Sequence, residues 1–170
     1  MGRLSSDVPV ASARAAGLAD IGRMAELCRE ARTELAPQRG GSILVAREAR
    51  SEPVEESLRA ALADNDRGVW AGTLSGQIVG YAVTRVEPLV EGRWLGVVED
   101  LYVEPPARAV GVGECLVEIL LEWCSQRRCV GVDAMALPGA RATKNFFEES
   151  AFTARLLVMH HTLPAQDQHG

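Results

Sequence analysis

The chain lacks several features that would have fixed its class at once. None of its apolar runs approaches the length of a membrane span, and its N-terminus has no charged-then-apolar leader layout, so a cytoplasmic protein is expected, with no membrane partner. An excess of positive charge is missing too. Against 23 Asp and Glu stand 18 Lys and Arg, and the formal charge of −5 argues against nucleic-acid binding through bulk electrostatics while suiting a pocket for a cationic amine. Cys28, Cys115, Cys124 and Cys129 form no CxxC pair and lie in apolar or helical contexts. They read as packing thiols, not as a disulfide frame or a metal site. His160 and His161 are neighbours, which puts them on opposite sides of a strand and leaves no shared metal. There is no internal repeat or low-complexity tract, and nearly half of the 170 residues are apolar, enough for one domain with a proper core. The expected boundaries are a flexible N-terminus over 1–8, a single domain over 9–163 and a flexible tail over 164–170.

What the chain does have is concentrated between Val97 and Arg128. Trp94 to Val103 is rich in β-branched and aromatic residues and stops at Pro105-Pro106, which predicts a strand ended by prolines that cannot donate to a ladder. From Gly111 onward Val112, Leu116, Ile119, Leu120 and Trp123 fall at helical spacing, with Glu114, Glu118 and Glu122 on the opposite face and Arg127-Arg128 at the end that favours cations. Between them, Arg108-Ala109-Val110-Gly111-Val112-Gly113 has side chains small enough to expose backbone N–H groups where the helix leaves its own unpaired. That combination predicts an anion site. A Walker loop is excluded because Glu114-Cys115 follows the glycines, and a dinucleotide fingerprint fits badly because Leu116 takes its third glycine position. The remaining bland reading is two glycines placed for close packing.

Around this centre the spacing predicts a short strand at Val10 to Arg14, then an amphipathic helix from Leu18 to Leu35 ended by Pro37. A loop follows at Gln38 to Ser42, and Ile43 to Ala46 is an apolar run too short to classify. Arg39 in that loop reads either as solvated or as a partner for a substrate carboxylate. A second helix starts at Ser51-Glu-Pro53 and ends at Asp64, and Val69 to Leu74 and Ile78 to Val86 form a hairpin about Ser75-Gly76. Past the central helix come a strand from Cys129 to Leu137, a Pro138-Gly139 turn, a short helix at Thr143 to Ser150 and a last strand or hairpin at Leu156 to Leu163. A free edge on that last strand would allow a homodimer.

The central stretch resembles the GNAT superfamily of N-acetyltransferases, whose signature is Arg or Gln, two residues, Gly, one residue, then Gly or Ala; Arg108, Gly111 and Gly113 fill it. Glu99-Asp100-Leu101-Tyr102-Val103-Glu104-Pro105 is similar to the same strand of the polyamine and thialysine acetyltransferase branch, and the likeness runs from about Gly68 to Leu163. The resemblance implies an α/β GNAT fold: a mixed, mostly antiparallel central sheet flanked by helices and splayed between the long strand and the following one. It also implies acetyl-CoA as co-substrate without a metal, and a primary-amine acceptor, on a small molecule or a protein, that attacks the thioester directly in a ternary complex. The pyrophosphate would sit on Arg108, Ala109, Val110, Gly111, Val112 and Gly113, and the pantetheine arm would pair with the backbone of Leu101 and Val103. Glu99 would take the amine proton, with Asp100 as substitute or amine anchor. Alternation puts these two acids on opposite faces of the strand, unless a bulge shifts the parity.

The sequence departs from the family in the penultimate helix, where Phe147 occupies the position of the tyrosine that protonates the departing thiolate. Phenylalanine cannot donate a proton. Ala151 stands for the family's glycine and Ala140 for its asparagine, and Tyr102 or a water would have to serve as acid. The alternative function is a catalytically silent acyl-CoA-binding module with a sensing or regulatory role.

Overall fold

The computed structural model describes residues 8–164. The stretches expected to be flexible, 1–8 and 164–170, lie outside the described residues except for Val8 and Pro164. Ten elements follow one another: β1 (Ala11–Ala15), α1 (Ile21–Leu35), α2 (Gly41–Glu48), α3 (Val54–Ala63), β2 (Arg67–Leu74), β3 (Gln77–Pro88), β4 (Trp94–Val103), α4 (Val112–Gln126), β5 (Cys129–Asp133) and α5 (Arg141–Glu149). The strands make one sheet in the order β1-β2-β3-β4-β5, antiparallel from β1 to β4 and parallel between β4 and β5. This is the mixed, mostly antiparallel α/β sheet that the sequence implied.

Two apolar clusters hold the layers together. Met24, Leu27 and Cys28 of α1 and Val54 and Leu58 of α3 pack on Val69, Tyr81 and Val83 on one face of the sheet. On the other face Val112, Leu116 and Leu120, the predicted apolar stripe of α4, pack on Trp70, Ala82 and Val98. The hairpin turn is Ser75-Gly76, with φ of 48° and 85°, the positive values that match the twist of the paired strands. At Gly41 a Cβ would lie 1.8 Å from the carbonyl oxygen of Leu35, so the absence of a side chain there is what lets α2 start hard against the end of α1.

One open reading is resolved and three expectations are corrected. The unclassified Ile43 to Ala46 run belongs to α2, an eight-residue helix. Helix α3 begins at Pro53 as its N-cap, without a side-chain cap from Ser51. The strand expected from Cys129 to Leu137 stops at Asp133, its last residue paired with β4. Leu156 to Leu163 forms no strand: among the described residues this segment has no ladder partner, and local β-propensity without a partner strand does not make a strand.

Leu116 is fully buried between α4 and the sheet, so Leu116→Ala is expected to lower unfolding free energy by about 2–5 kcal/mol in urea titration. Val90→Ala, at a side chain 86% exposed, is the control and should stay within about 0.5 kcal/mol of the parent.

Candidate functional site

Strands β4 and β5 part company early. Their last pair is Val97 with Asp133, after which β4 runs on to Val103 with no neighbour on that side among the described residues, while the chain beyond β5 turns away through Ala134–Leu137. A cleft of about 510 Å³ fills the gap, walled by residues 98–103 on one side and 134–137 on the other and reaching Phe147 of α5. Backbone groups on the open side of β4 need partners, and an extended ligand arm can supply them. Of the two strand residues expected to hold such an arm, Val103 already has its carbonyl oxygen bonded by Arg108 Nε at 2.8 Å, and Leu101 lines the cleft beside it.

The cleft ends at the loop before α4. Ala109 and Gly111 both have positive φ, 59° and 98°, and bend the backbone into the helix start. No side chain caps α4, and its first ladder bond is Cys115 N–H to the Gly111 carbonyl, so the N–H groups of Val112, Gly113 and Glu114 have no partner within the helix. Free N–H groups at a helix start are the kind of donors that anions bind. Two details change the sequence reading. The Arg108 guanidinium donates to Glu34 Oε1 and Oε2 of α1 at 2.9 and 2.7 Å, which keeps the Glu34 carboxyl below its ordinary range, and it lies over the Tyr102 ring. Gly113 has a packing reason as well, because a Cβ there would come within 3.0 Å of the Phe146 ring.

A β-bulge decides where the acids go. Val83 pairs with Asp100 and Thr84 with Val98, so Glu99 is an extra residue on β4. Val98, Leu101 and Val103 thereby all pack on the α4 side, whereas Glu99 and Asp100 both reach Arg50, the residue two past the end of α2. Of the two placements left open, opposite faces by simple alternation or a parity shifted by a bulge, the second is found: the bulge turns both carboxylates toward one guanidinium. Arg50 donates to Asp100 Oδ2 at 2.6 Å and to Glu99 Oε2 at 3.0 Å, with only 9% of its side chain exposed.

The two acids then diverge in character. Glu99 also receives Arg67 at 3.2 and 3.3 Å and Arg85 at 3.4 Å. Burial alone would push its carboxyl up, but the hydrogen bonds from Arg67 and the charges of Arg50 and Arg67 outweigh that and hold it below the ordinary value. Asp100 has one arginine and the Tyr81 hydroxyl, which donates to Oδ1 at 3.3 Å; burial dominates and pushes it up despite Arg50. The two carboxyls are therefore driven in opposite directions, Glu99 down by its arginines and Asp100 up by burial. Both line the cleft, and both also line a second cavity of about 520 Å³ with Arg50, Arg67, Arg85 and Met135, so they form the wall between the two spaces.

Phe147 sits in an aromatic cluster with Phe146 and Phe152, ring centroids 5.4 and 5.1 Å away, and lines the cleft. Its ring offers no donor. The Tyr102 hydroxyl is turned to Glu34 at 3.4 Å and that of Tyr81 to Asp100, so each already has an acceptor. Arg39 is exposed. Sequence reasoning missed Arg50, Arg67, Arg85 and Tyr81. The one signal available was that two adjacent acids in a half-buried strand require nearby cations. Among the described residues no three or more His, Cys, Asp or Glu gather as a metal set.

Removing Arg50 leaves two nearly buried carboxylates without their shared cation, so Arg50→Met is expected to destabilise by about 3–5 kcal/mol at pH 7. The sign with pH is fixed: losing the cation raises both folded-state carboxyl pKa values, so the deficit is full above them and shrinks as pH falls through them and the acids discharge. Urea unfolding of both proteins at pH 7 and pH 5 checks this, and a deficit that grows at pH 5 would contradict it.

Residues 26–152 match the family model described as "Acetyltransferase (GNAT) family", well over half of the chain. Among solved structures, the chain is similar to an acetyltransferase of Trypanosoma brucei, at 25% identity and TM-score 0.63, with 91% of this chain and 100% of that one covered. A ribosomal-protein-alanine N-acetyltransferase of Brucella melitensis biovar Abortus aligns at 17% identity and TM-score 0.66, over 91% and 100%. An aminoglycoside acetyltransferase from an uncultured soil metagenomic sample, solved with sisomicin, aligns at 18% and 0.67, over 92% and 97%. No curated protein matches the chain. The splayed sheet, the open helix start and the family match together show that the chain belongs to the GNAT acetyltransferase family.

Proposed function

We propose that the chain moves the acetyl group of acetyl-CoA to a primary amine by direct attack in a ternary complex, and that it does so in the cytoplasm. The observation that carries this reading is one continuous cleft running from the unpaired N–H groups at the start of α4, past Leu101 on the open side of β4, to Asp100 and Glu99. The pyrophosphate of the co-substrate suits the helix start, at Arg108 to Gly113, and its pantetheine arm suits the gap, with the Phe147 ring against it. Chemistry at the far end is then the attack of a neutral amine nitrogen on the thioester carbon. The C–S bond breaks, the CoA thiolate leaves, and the proton from nitrogen passes to a carboxylate directly or through water. Four free cysteines fit a reducing compartment.

Between the two candidate acids, we assign proton acceptance to Asp100 and give Glu99 the task of holding Arg50, Arg67 and Arg85 in place. Asp100→Asn is expected to reduce turnover by about 10²-fold or more and to remove the acidic limb of the pH–rate profile. Glu99→Gln should fall by less than about tenfold and keep that limb. The reverse ordering would give the proton to Glu99.

Phe147 supports a second reading, a silent acyl-CoA-binding module, since the position that faces the cleft has no acid. Thiol release from acetyl-CoA with a panel of primary amines separates the two, alongside the rise in melting temperature that a bound co-substrate produces. For the transferase, Phe147→Tyr should speed thiol release about threefold, or about 0.7 kcal/mol, if the unprotonated thiolate limits turnover. A raised melting temperature with no release from any amine, in the parent and in the tyrosine variant, would establish the silent module.

A further inference from the structure

The second cavity is left without a task by the reaction in the cleft. It encloses about 520 Å³, the size of a small-molecule site, and it adjoins the cleft along Glu48, Val98, Glu99, Asp100 and Met135, which line both spaces. Its walls differ from the gap that suits a pantetheine arm, because four arginines and four carboxylates line it. Neither sign is in excess. A bare anion in this space meets the carboxylates and a bare cation meets the guanidiniums, whereas a molecule that carries both charges can put each beside its opposite.

The charges are sorted by depth. The side chains of Arg50, Glu99 and Asp100 are at most 17% exposed and form the inner end, one arginine against two carboxylates. Arg47, Arg67 and Arg85, with Glu48 and Asp64, are 31–73% exposed and form the outer end, three arginines against two carboxylates. The inner end thus favours a cation and the outer end an anion. Among the outer arginines, Arg47 stands mostly in solvent and Arg67 is held by Asp64 and Glu99. Arg85 is half-buried with donors to spare: Nη2 bonds Glu87 at 2.8 Å, Nη1 reaches Glu99 only at 3.4 Å, and Nε has no acceptor among the described residues.

We propose that this cavity binds the acceptor and that the acceptor is a free amino acid, its ammonium at the inner end beside Asp100 and its carboxylate at the outer end on Arg85. The assignment rests on the transferase reading above and adds to it the acid group that the amine must carry. A guanidinium takes a carboxylate through two parallel hydrogen bonds, so the carboxylate fixes where the nitrogen stands. Because the inner wall is shared with the cleft, a nitrogen held there borders the space that suits the thioester. Of the two protons that the ammonium gives up, one passes to Asp100 and one ends on the departing sulfur, while the new C–N bond replaces the C–S bond. The N-acetyl amino acid has lost its positive charge and kept its negative one, so the inner carboxylates no longer favour it and it can leave.

Thiol release from acetyl-CoA is to be measured with each standard amino acid that has a primary amine, beside the amine left when its carboxylate is removed; L-lysine and cadaverine are one such pair. The best amino acid should exceed its partner in kcat/KM by about tenfold or more, and the methyl ester of that amino acid, which keeps the amine and loses the negative charge, should fall as far. Arg85→Gln should narrow the ratio between amino acid and amine to within about threefold. The ester comparison needs no variant and decides the matter even if Arg85→Gln fails to fold. Amines without a carboxylate that react as well or better would overturn the assignment and leave the transferase standing, and a ratio unchanged in folded Arg85→Gln would overturn the placement on Arg85. If no amine releases thiol, the transferase reading falls, and calorimetric titration of the same amino acids into the CoA-loaded chain tests the cavity by itself. Heat of binding that Arg85→Gln abolishes would keep it as an amino-acid site, and no heat would reject it.

Discussion

β4 is paired with β3 along its whole length and with β5 only as far as Val97, and most of what the protein can do follows from that asymmetry. A strand with one open side in a folded core has polar backbone groups that require partners. The chain supplies one of them itself, from Arg108 to the Val103 carbonyl, and leaves a cleft along the rest. Because α4 connects the two strands as they diverge, its N-terminus stands at the mouth of the same gap, and the free N–H groups of the helix start and the open side of β4 border one cleft.

The bulge at Glu99 is the second constraint, and it acts through charge. A regular strand would have separated the two acids by the thickness of the sheet; one inserted residue brings both to Arg50. Two nearly buried carboxylates sharing a guanidinium cannot have identical surroundings, and the extra arginines on Glu99 make the difference, lowering one carboxyl while burial raises the other. Environments that drive two neighbouring titratable groups apart are a common way to obtain an acid and a base from the same chemistry. The arrangement also ties the site to distant parts of the chain, since Arg50 follows α2, Arg67 opens β2 and Arg85 is near the end of β3.

How much of this could be read from the residues depended on whether the determining interaction was local. Trp94 to Val103 was legible as a strand because its side chains and Pro105-Pro106 speak for themselves, and α4 was legible from the spacing of Val112, Leu116, Leu120 and Trp123. The bulge could be named only as an alternative to alternation, since it is a property of the register between β3 and β4, and neither strand's sequence alone decides it. Arg50 lies 50 residues from Asp100, and only the fold makes them partners. Helix α2 escaped because eight residues are too few for a period to show, and β5 was read four residues too long because apolar character continues past the point where the ladder stops. At Leu156 to Leu163 the residues have strand chemistry, but among the described residues no strand pairs with them.

Gly41 bears on how this sequence can change over time. Its Cβ position is filled by the Leu35 carbonyl, an atom of the main chain that cannot swing aside as a side chain would. Gln38, three residues earlier in the connection between α1 and α2, lines the cleft, and its side chain is held only by a hydrogen bond from Nε2 to the Glu34 carbonyl oxygen at 3.2 Å. A substitution at Gln38 can thus reshape that wall of the cleft while Gly41 keeps the path of the chain, and with it the placement of Arg50 downstream of the same turn.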